Sequence, residues 1–483
     1  MKKILIAVIA TIALLAPFLY LPPSTHAASV LDKGAVDDYV ERYLNRNGLP
    51  GASIVIVKDG GIAHAQGYGH DSEGKPLTEH SLLRIGSVSK SFTAFAVLQL
   101  IDEGAFGLDD PIVQHLPDLK MNDQRFGQVT IRHLLSHTSG ISTPTIVSKA
   151  DTLEKGVKRV HQWQLQSDPG ERYSYSNANY WILAWLVENV SGMEFAAYLD
   201  TKVFSPLGMD DSLSPVNSGD SVPGLPRGYV TAFGTAISIS EMEQMFTGSG
   251  GIVTTAADMG EWLAMHTRNG VSASGERLLS ESLLDDSYSP QPGSEHYGLG
   301  WSLSASDIAP KRVQHSGALS SYQAQQTIVP ESGYAVAVML NSFTTTFEHA
   351  YAISDGIIRL TEGQAHTVKT PIPTIIDFSV GLLTLLYAGL GIRGILRGKK
   401  WSDRRRHYSA LRYYLRLIPQ IIPIAGIGWL LFIVPELQDN STTILDVFRL
   451  WPALAILLFV IFLCAVSITG TRMYHRIRGG ISQ

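Results

Sequence analysis

Three short stretches of this chain place side chains that can between them open an amide or ester bond. In Gly86-Ser87-Val88-Ser89-Lys90, a hydroxyl and an amine stand three residues apart, just ahead of an apolar run from Ala94 to Ile101. On a helix that spacing puts both groups on one face, so Ser87 should open a buried helix with Lys90 one turn behind it. A serine hydroxyl is a weak nucleophile at neutral pH, and a lysine can take its proton once burial favours the neutral amine. The start of a helix adds unpaired N–H groups and a partial positive charge, both suited to an oxyanion. The second stretch, Tyr173-Ser174-Tyr175-Ser176-Asn177, follows Pro169-Gly170 and precedes a helix starting near Ala178. Tyr175 can relay a proton to a leaving group, with Tyr173 and Tyr180 as rivals, and Asn177 can hold a substrate amide. The third, Gln314-His315-Ser316-Gly317-Ala318, ends a strand pattern. A strand edge offers backbone N–H groups to a carbonyl oxygen, and a glycine there admits substrate closely. Each stretch is weak alone, since S-x-x-K recurs by chance roughly once or twice in a chain this long.

The elements that must position these residues follow from periodicity. Val36, Val40 and Leu44 mark an amphipathic helix over 34–47, and Gly48-Leu49-Pro50-Gly51 ends it. Segments 52–58 and 62–66 flank Asp59-Gly60-Gly61 and read as a hairpin. From about Leu98 to Gly250 helical patterns dominate, for instance over 181–190, so this block reads as a helical insertion. Strand patterns return over 312–315, 322–329 and 334–341, and a helix over 347–360 closes the region. Helix, hairpin, helical block, strands and helix make an α+β domain whose single sheet is assembled from both ends of the chain.

The densest apolar segments of this 483-residue chain lie at its two ends. Lys2-Lys3, the apolar stretch 4–20 and the small residues Ala27-Ala28-Ser29 read as a secretory signal over 1–28. No cysteine follows it for lipid attachment; the only one, Cys464, lies in a C-terminal apolar run, which excludes an intrachain disulfide and argues against a cysteine nucleophile. Residues 29–370 then form the soluble domain and 371–483 a membrane domain, with spans expected over 374–392, 417–434 and 450–468. Arg393, Arg397, Lys399, Lys400, Arg404, Arg405, Arg406, Arg412 and Arg416 crowd the first connection, and Arg472, Arg476 and Arg478 the tail, whereas the second connection has only Arg449. The positive-inside rule makes the basic parts cytoplasmic and the soluble domain extracytoplasmic, in a multi-pass protein of the cell membrane. A net charge of −5 without a basic, aromatic-interleaved patch gives no sign of a nucleic-acid partner. No G-x-S-x-G, H-E-x-x-H or Walker A pattern occurs, and the i, i+4 pair His133 and His137 reads as ordinary helix packing, so neither a metal nor a cofactor is expected.

Taken together and in this order, the three stretches resemble the S-x-x-K, Y-x-N and K-T-G elements of the serine β-lactamase and penicillin-binding protein superfamily. Ile131-Arg132-His133-Leu134-Leu135-Ser136-His137-Thr138-Ser139-Gly140, the run from Gly250 to Asp258 and Tyr297-Gly298-Leu299-Gly300-Trp301 resemble its class C β-lactamase branch and the related peptidases and esterases. The resemblance implies an antiparallel sheet flanked by helices with a helical subdomain. It makes Ser87 the acylated nucleophile, Lys90 and Tyr175 the proton-transfer pair, and Asn177, His315, Gly317 and Ala318 the substrate side. The backbone N–H groups of Ser87 and Ala318 would form the oxyanion hole. It departs at His315, where K-T-G has lysine; a permanent charge suited to a substrate carboxylate is gone. Three spans behind such a domain are similar to those of prodrug-activating D-amino-acid peptidases. The expected substrate is thus a peptide, ester or β-lactam-like small molecule, with a D-amino-acid peptide or cell-wall-related compound foremost. A β-lactamase, or a membrane receptor for cell-wall fragments or antibiotics that does not turn over, is the alternative.

Overall fold

The computed structural model describes residues 31–143, 148–305, 307–364, 366–433 and 448–481. The expected signal segment, 1–28, lies outside them. Strands β1 (Gly51–Lys58) and β2 (Gly61–Gly69) form the expected hairpin. Asp59 and Gly60 make its turn, both with positive φ, 48° and 81°. β1 then pairs with β10 (Tyr334–Leu340), which comes from the far end of the domain. With β9 (Gln323–Val329), β8 (Val313–Ala318) and β7 (Ser302–Leu303) the order is β2-β1-β10-β9-β8-β7, antiparallel throughout. The short strands β3 (Leu83–Arg84) and β6 (Val253–Thr254) pair separately.

Both faces of this sheet are covered, and the strand period of two decides what each face meets. Ala52, Ile54 and Ile56 of β1, with Val336, Val338 and Leu340 of β10, pack on α1 (Lys33–Asn47) and on α6 (His349–Thr361). Val55, Val57, Ala335, Ala337 and Met339 join the larger core on the other side. That core holds α2 (Ser89–Asp102), α3 (Ile131–Leu135), α4 (Asn177–Ser191) and α5 (Ala256–Thr267). Residues 89–100 are buried without a break, as expected for a helix that is hydrophobic all round and central to its domain.

The block between Leu98 and Gly250 is not purely helical. β4 (Gly228–Ala232) and β5 (Thr235–Ile239) form a hairpin, with β11 (Ser342–Phe343) alongside β4 in parallel. Its two-residue turn, Phe233-Gly234, has φ of 55° and 76°, the twist that tight hairpins favour. The phenylalanine at a position usually held by asparagine or glycine hid the turn from pattern reading.

Three membrane spans were expected, and the structure supports two helices of the required length and apolarity. They are α7 (Ile372–Leu396) and α9 (Pro452–Ile481). Between them α8 (Ile418–Gly428) is apolar but short, with Pro423 inside it, and continues as a π-helical stretch, Trp429–Ile433. A proline inside a helix removes a backbone donor and crowds the preceding turn. The rest of the expected span, with residue 434, lies outside the described residues. Glycines let α7 and α9 approach closely: a Cβ on Gly391 would stand 2.2 Å from Cys464 Sγ, and one on Gly394 2.7 Å from Ile468. Asp377, 6% exposed on α7, accepts hydrogen bonds from Gly234 N (3.1 Å) and Trp451 Nε1 (3.3 Å), tying the β4–β5 hairpin to α7 and to the residue just before α9.

Candidate active site

Ser87 sits in a 3-10 turn, Gly86–Val88, that runs directly into α2. The turn is held in place from the sheet side. A Cβ on Gly317 of β8 would lie 1.9 Å from Ile85 O and 3.1 Å from Ser87 N, and one on Gly86, whose φ is 52°, would lie 2.9 Å from Ala318 N. Glycine at both positions is what lets the strand and the turn touch through their backbones. Register then aims the Ala318 N–H. Leu319 N donates to Tyr322 O across to the β9 side, so antiparallel alternation turns the Ala318 N–H away from β9, toward the Ser87 turn. The Ser87 N–H belongs to the group that a helix start leaves without an intrahelical partner. The two backbone donors expected for an oxyanion are therefore adjacent.

Behind Ser87, Lys90 is fully buried. Its Nζ lies 2.7 Å from Ser249 O, 2.8 Å from Asn177 Oδ1 and 3.2 Å from Ser87 Oγ. Burial pushes the ammonium well below the usual lysine range. A neutral amine has two N–H donors and one lone pair. The two short contacts use the donors, and the longer one leaves the lone pair facing the Ser87 hydroxyl. The rings of Tyr175 and Tyr180 complete the enclosure, 4.8 and 5.5 Å from Nζ.

Tyr175 stands at the mouth, 41% exposed. Desolvation raises its phenol above the usual tyrosine range, and hydrogen bonding with Ser87 pulls the other way. Of its expected rivals, Tyr180 is committed elsewhere, donating to Leu135 O at 2.8 Å, and only Tyr175 lines the cavity beside Ser87. Asn177 is the first residue of α4; with its Oδ1 on Lys90, no described residue accepts from its Nδ2.

Ser87, Tyr175, His315, Gly317 and Ala318 all line one cavity of about 290 Å³, with Lys90 and Asn177 directly behind it, so the structure brings every expected site residue together. His315 differs in character from a flexible substrate contact. It is 4% exposed; its Nδ1 faces the Ser316 carbonyl at 2.7 Å and its Nε2 the Tyr297 hydroxyl at 2.9 Å. Since a carbonyl only accepts, Nδ1 carries the proton and Nε2 accepts from Tyr297, an assignment made from the network. Burial, and then the nearby Lys90 charge, lower its pKa to about 3. The ring is a neutral wall of the cavity.

Pattern reading gave no site role to three contributors. His137 does not share a helix with His133: α3 ends at Leu135, and His137 adopts a φ of 58°. It is fully buried, accepts from Ser176 N at 3.1 Å, and sets its ring 4.4 Å from that of Tyr175, tilted by 36°. The residue thus fixes the tyrosine loop. Ser249 supplies the carbonyl on Lys90 from a loop in which Gly248 has a φ of 74°; a Cβ there would meet Tyr180 O at 2.4 Å. Glu348 lines the cavity from just before α6. Ser249 and Glu348 carry no local sequence signal, because each acts through contacts far along the chain; His137 stood out by its spacing from His133, and the expected helix packing is corrected by the end of α3 at Leu135.

The family model for Beta-lactamase matches residues 36–355. The chain belongs to the Beta-lactamase family. Among curated relatives of this Beta-lactamase family member, Protein flp of Staphylococcus aureus (strain MRSA252) is 27% identical over 317 residues, covering 63% of this chain and 62% of the relative. The match therefore spans less than two thirds of that relative's length. Penicillin-binding protein 4 of Amycolatopsis lactamdurans is 29% identical over 315 residues, covering 62% of this chain and 82% of its own. Among solved structures, the octameric penicillin-binding protein homologue from Pyrococcus abyssi superposes with a TM-score of 0.58 at 26% identity, covering 69% of this chain and 78% of that one. The chain thus has the β-lactamase-like α+β fold shared by serine hydrolases of this family.

Proposed function

We propose that this Beta-lactamase family member is a membrane-anchored, extracytoplasmic serine hydrolase that works through an acyl-enzyme on Ser87. The observation that carries the reading is the buried Lys90 amine, with two fixed acceptors and its third contact on Ser87 Oγ. In acylation the Ser87 oxygen bonds to the substrate carbonyl carbon while its proton passes to Lys90 Nζ. The carbonyl oxygen gathers negative charge against the N–H groups of Ser87 and Ala318. The bond to the leaving amine or alcohol breaks, and Tyr175 hands that group a proton which Lys90 replaces. Water then attacks the acyl carbon, loses a proton through the same pair, and releases the acid with Ser87 restored.

The substrate class proposed is an amide or ester in a D-amino-acid-containing peptide or a cell-wall-related compound. Support for anchoring comes from α7 and α9, both long and apolar, and from the basic residues between and after them. Intact-mass spectrometry of the full chain in detergent after exposure to benzylpenicillin and to a fluorophosphonate tests the reading. A fluorophosphonate adduct in wild type and none in Ser87→Ala is expected. Adducts that persist in Ser87→Ala overturn it, and a wild-type adduct that never turns over with any ester or amide would make the chain a receptor.

A further inference from the structure

The cavity beside Ser87 has one formally charged side chain in its wall, and it is an acid. Among the lining residues, His315 is held neutral and the others are uncharged except Glu348. Lys90 lies behind the wall with its amine pushed toward the neutral form. Glu348 is exposed, and no described residue forms an ion pair with it. Among the described residues, the one hydrogen-bonding neighbour of its carboxylate is Ser316, whose Oγ lies 3.2 Å from Glu348 Oε2 and 2.6 Å from Gln325 Oε1. A hydroxyl has a single proton, and the shorter bond to Gln325 takes it, so the Glu348 carboxylate retains nearly all of its accepting capacity. One helical turn further on α6, Tyr351 lines the same cavity and is 36% exposed. A carboxylate beside an accessible aromatic ring is the pairing that holds organic cations.

Resting on the hydrolase reading and deepening it, we infer that the substrate carries a cationic group, an ammonium or a guanidinium, that docks between Glu348 and Tyr351. Ser316, which touches Glu348, is two strand residues from Ala318, so the docking point lies about 7 Å along β8 from the oxyanion site. The site thereby selects the charge opposite to the carboxylate of a penicillin. A substrate carboxylate placed there meets like charge with no lysine at position 315 to offset it.

Two triads of thioesters test this with the full chain in detergent at low ionic strength. In one, the leaving thiol bears a trimethylammonium group (acetylthiocholine), a butyl group or a carboxylate; in the other, the acyl chain carries the same three endings. Thiol release is followed with an aromatic disulfide reagent, and the readout is the ratio of kcat/KM within a triad. Wild type should favour the trimethylammonium member over the neutral one by about tenfold in at least one triad. Glu348→Gln should bring that ratio close to one, and Glu348→Lys should turn it toward the carboxylate. Ratios near one for wild type in both triads, or a cation preference that survives Glu348→Gln, overturn the ammonium site alone. No turnover of any thioester by wild type overturns the hydrolase reading, and the ammonium site falls with it.

Discussion

Lys90 Nζ and Asn177 Oδ1 lie 2.8 Å apart, and the bond joins the start of α4 to the first turn of α2 through the floor of the site. An amide oxygen at that place accepts a proton-bearing nitrogen without adding charge. It therefore orients the lysine and leaves burial free to favour the neutral amine. Replacing the amide by a carboxylate keeps the shape and reverses that balance, because a nearby opposite charge favours the ammonium. Asn177→Asp should raise the Lys90 pKa, moving the acid limb of the kcat/KM profile about 1–3 pH units upward. Activity at pH 7 should fall and partly return in alkaline buffer. A limb that stays where it is in wild type would show that Lys90 is not the group titrating.

Removal of the amine itself gives a cleaner loss. Lys90→Met fills much of the same buried volume without a base, so the fold should persist while acylation slows by roughly 10²–10⁴-fold. Rapid-mixing measurement of the first turnover checks this. A variant that acylates at the wild-type rate would transfer the role of base to Tyr175.

Buried His266 makes stability depend on pH. It is 3% exposed among Phe95, Trp262 and Trp301, and burial lowers its pKa to about 3. An unfolded histidine takes its proton near pH 6.5. Between pH 6.5 and 3 the unfolded chain therefore binds one proton more than the folded chain at this site, so stability rises with pH across that window and is lost as pH falls. The slope is up to about 1.4 kcal/mol per pH unit. Denaturant unfolding at pH 7 and pH 5 should show wild type losing more stability on acidification than His266→Phe does; equal losses would mean that the ring is protonated in the folded state.

What could be read in the sequence and what could not divide along a physical line. Ser87, Lys90, Tyr175 and Asn177 announce themselves because each pair sits within three residues, where helix and loop geometry translates spacing into proximity. The hairpin β1–β2 and its partner strands were equally legible, since short apolar runs bounded by turn residues such as Asp59-Gly60-Gly61 read as strands whichever ones pair. The β4–β5 hairpin was hidden by an unusual turn residue. Glu348 and Ser249 reach the site only after β8, β9 and α6 have been brought against α2 and α4, across separations that no local pattern encodes. The extent of the apolar segments was readable, but the interruption was not: among the described residues the middle one is α-helical only over α8, with Pro423 inside it, before a π-helical stretch.

Gly317 tests whether the backbone contact between β8 and the Ser87 turn serves the chemistry. Its missing side chain allows the strand to approach a carbonyl, Ile85 O, to which an alanine Cβ would come within 1.9 Å. That neighbour is backbone and cannot rotate aside, so Gly317→Ala must push β8 and the turn apart. The Ala318 N–H then leaves the position facing the Ser87 N–H, and an oxyanion keeps one well-placed donor where it had two. Loss of one such donor corresponds to roughly 10²–10³ in kcat. Lys90 is held by Ser249 and Asn177 on the other side of Ser87, so the pH at which the base titrates should not move. Gly317→Ala should thus lower kcat across the whole pH range with the acid limb in place, the opposite of the shifted limb expected for Asn177→Asp. A full-rate Gly317→Ala enzyme would remove Ala318 from the oxyanion site.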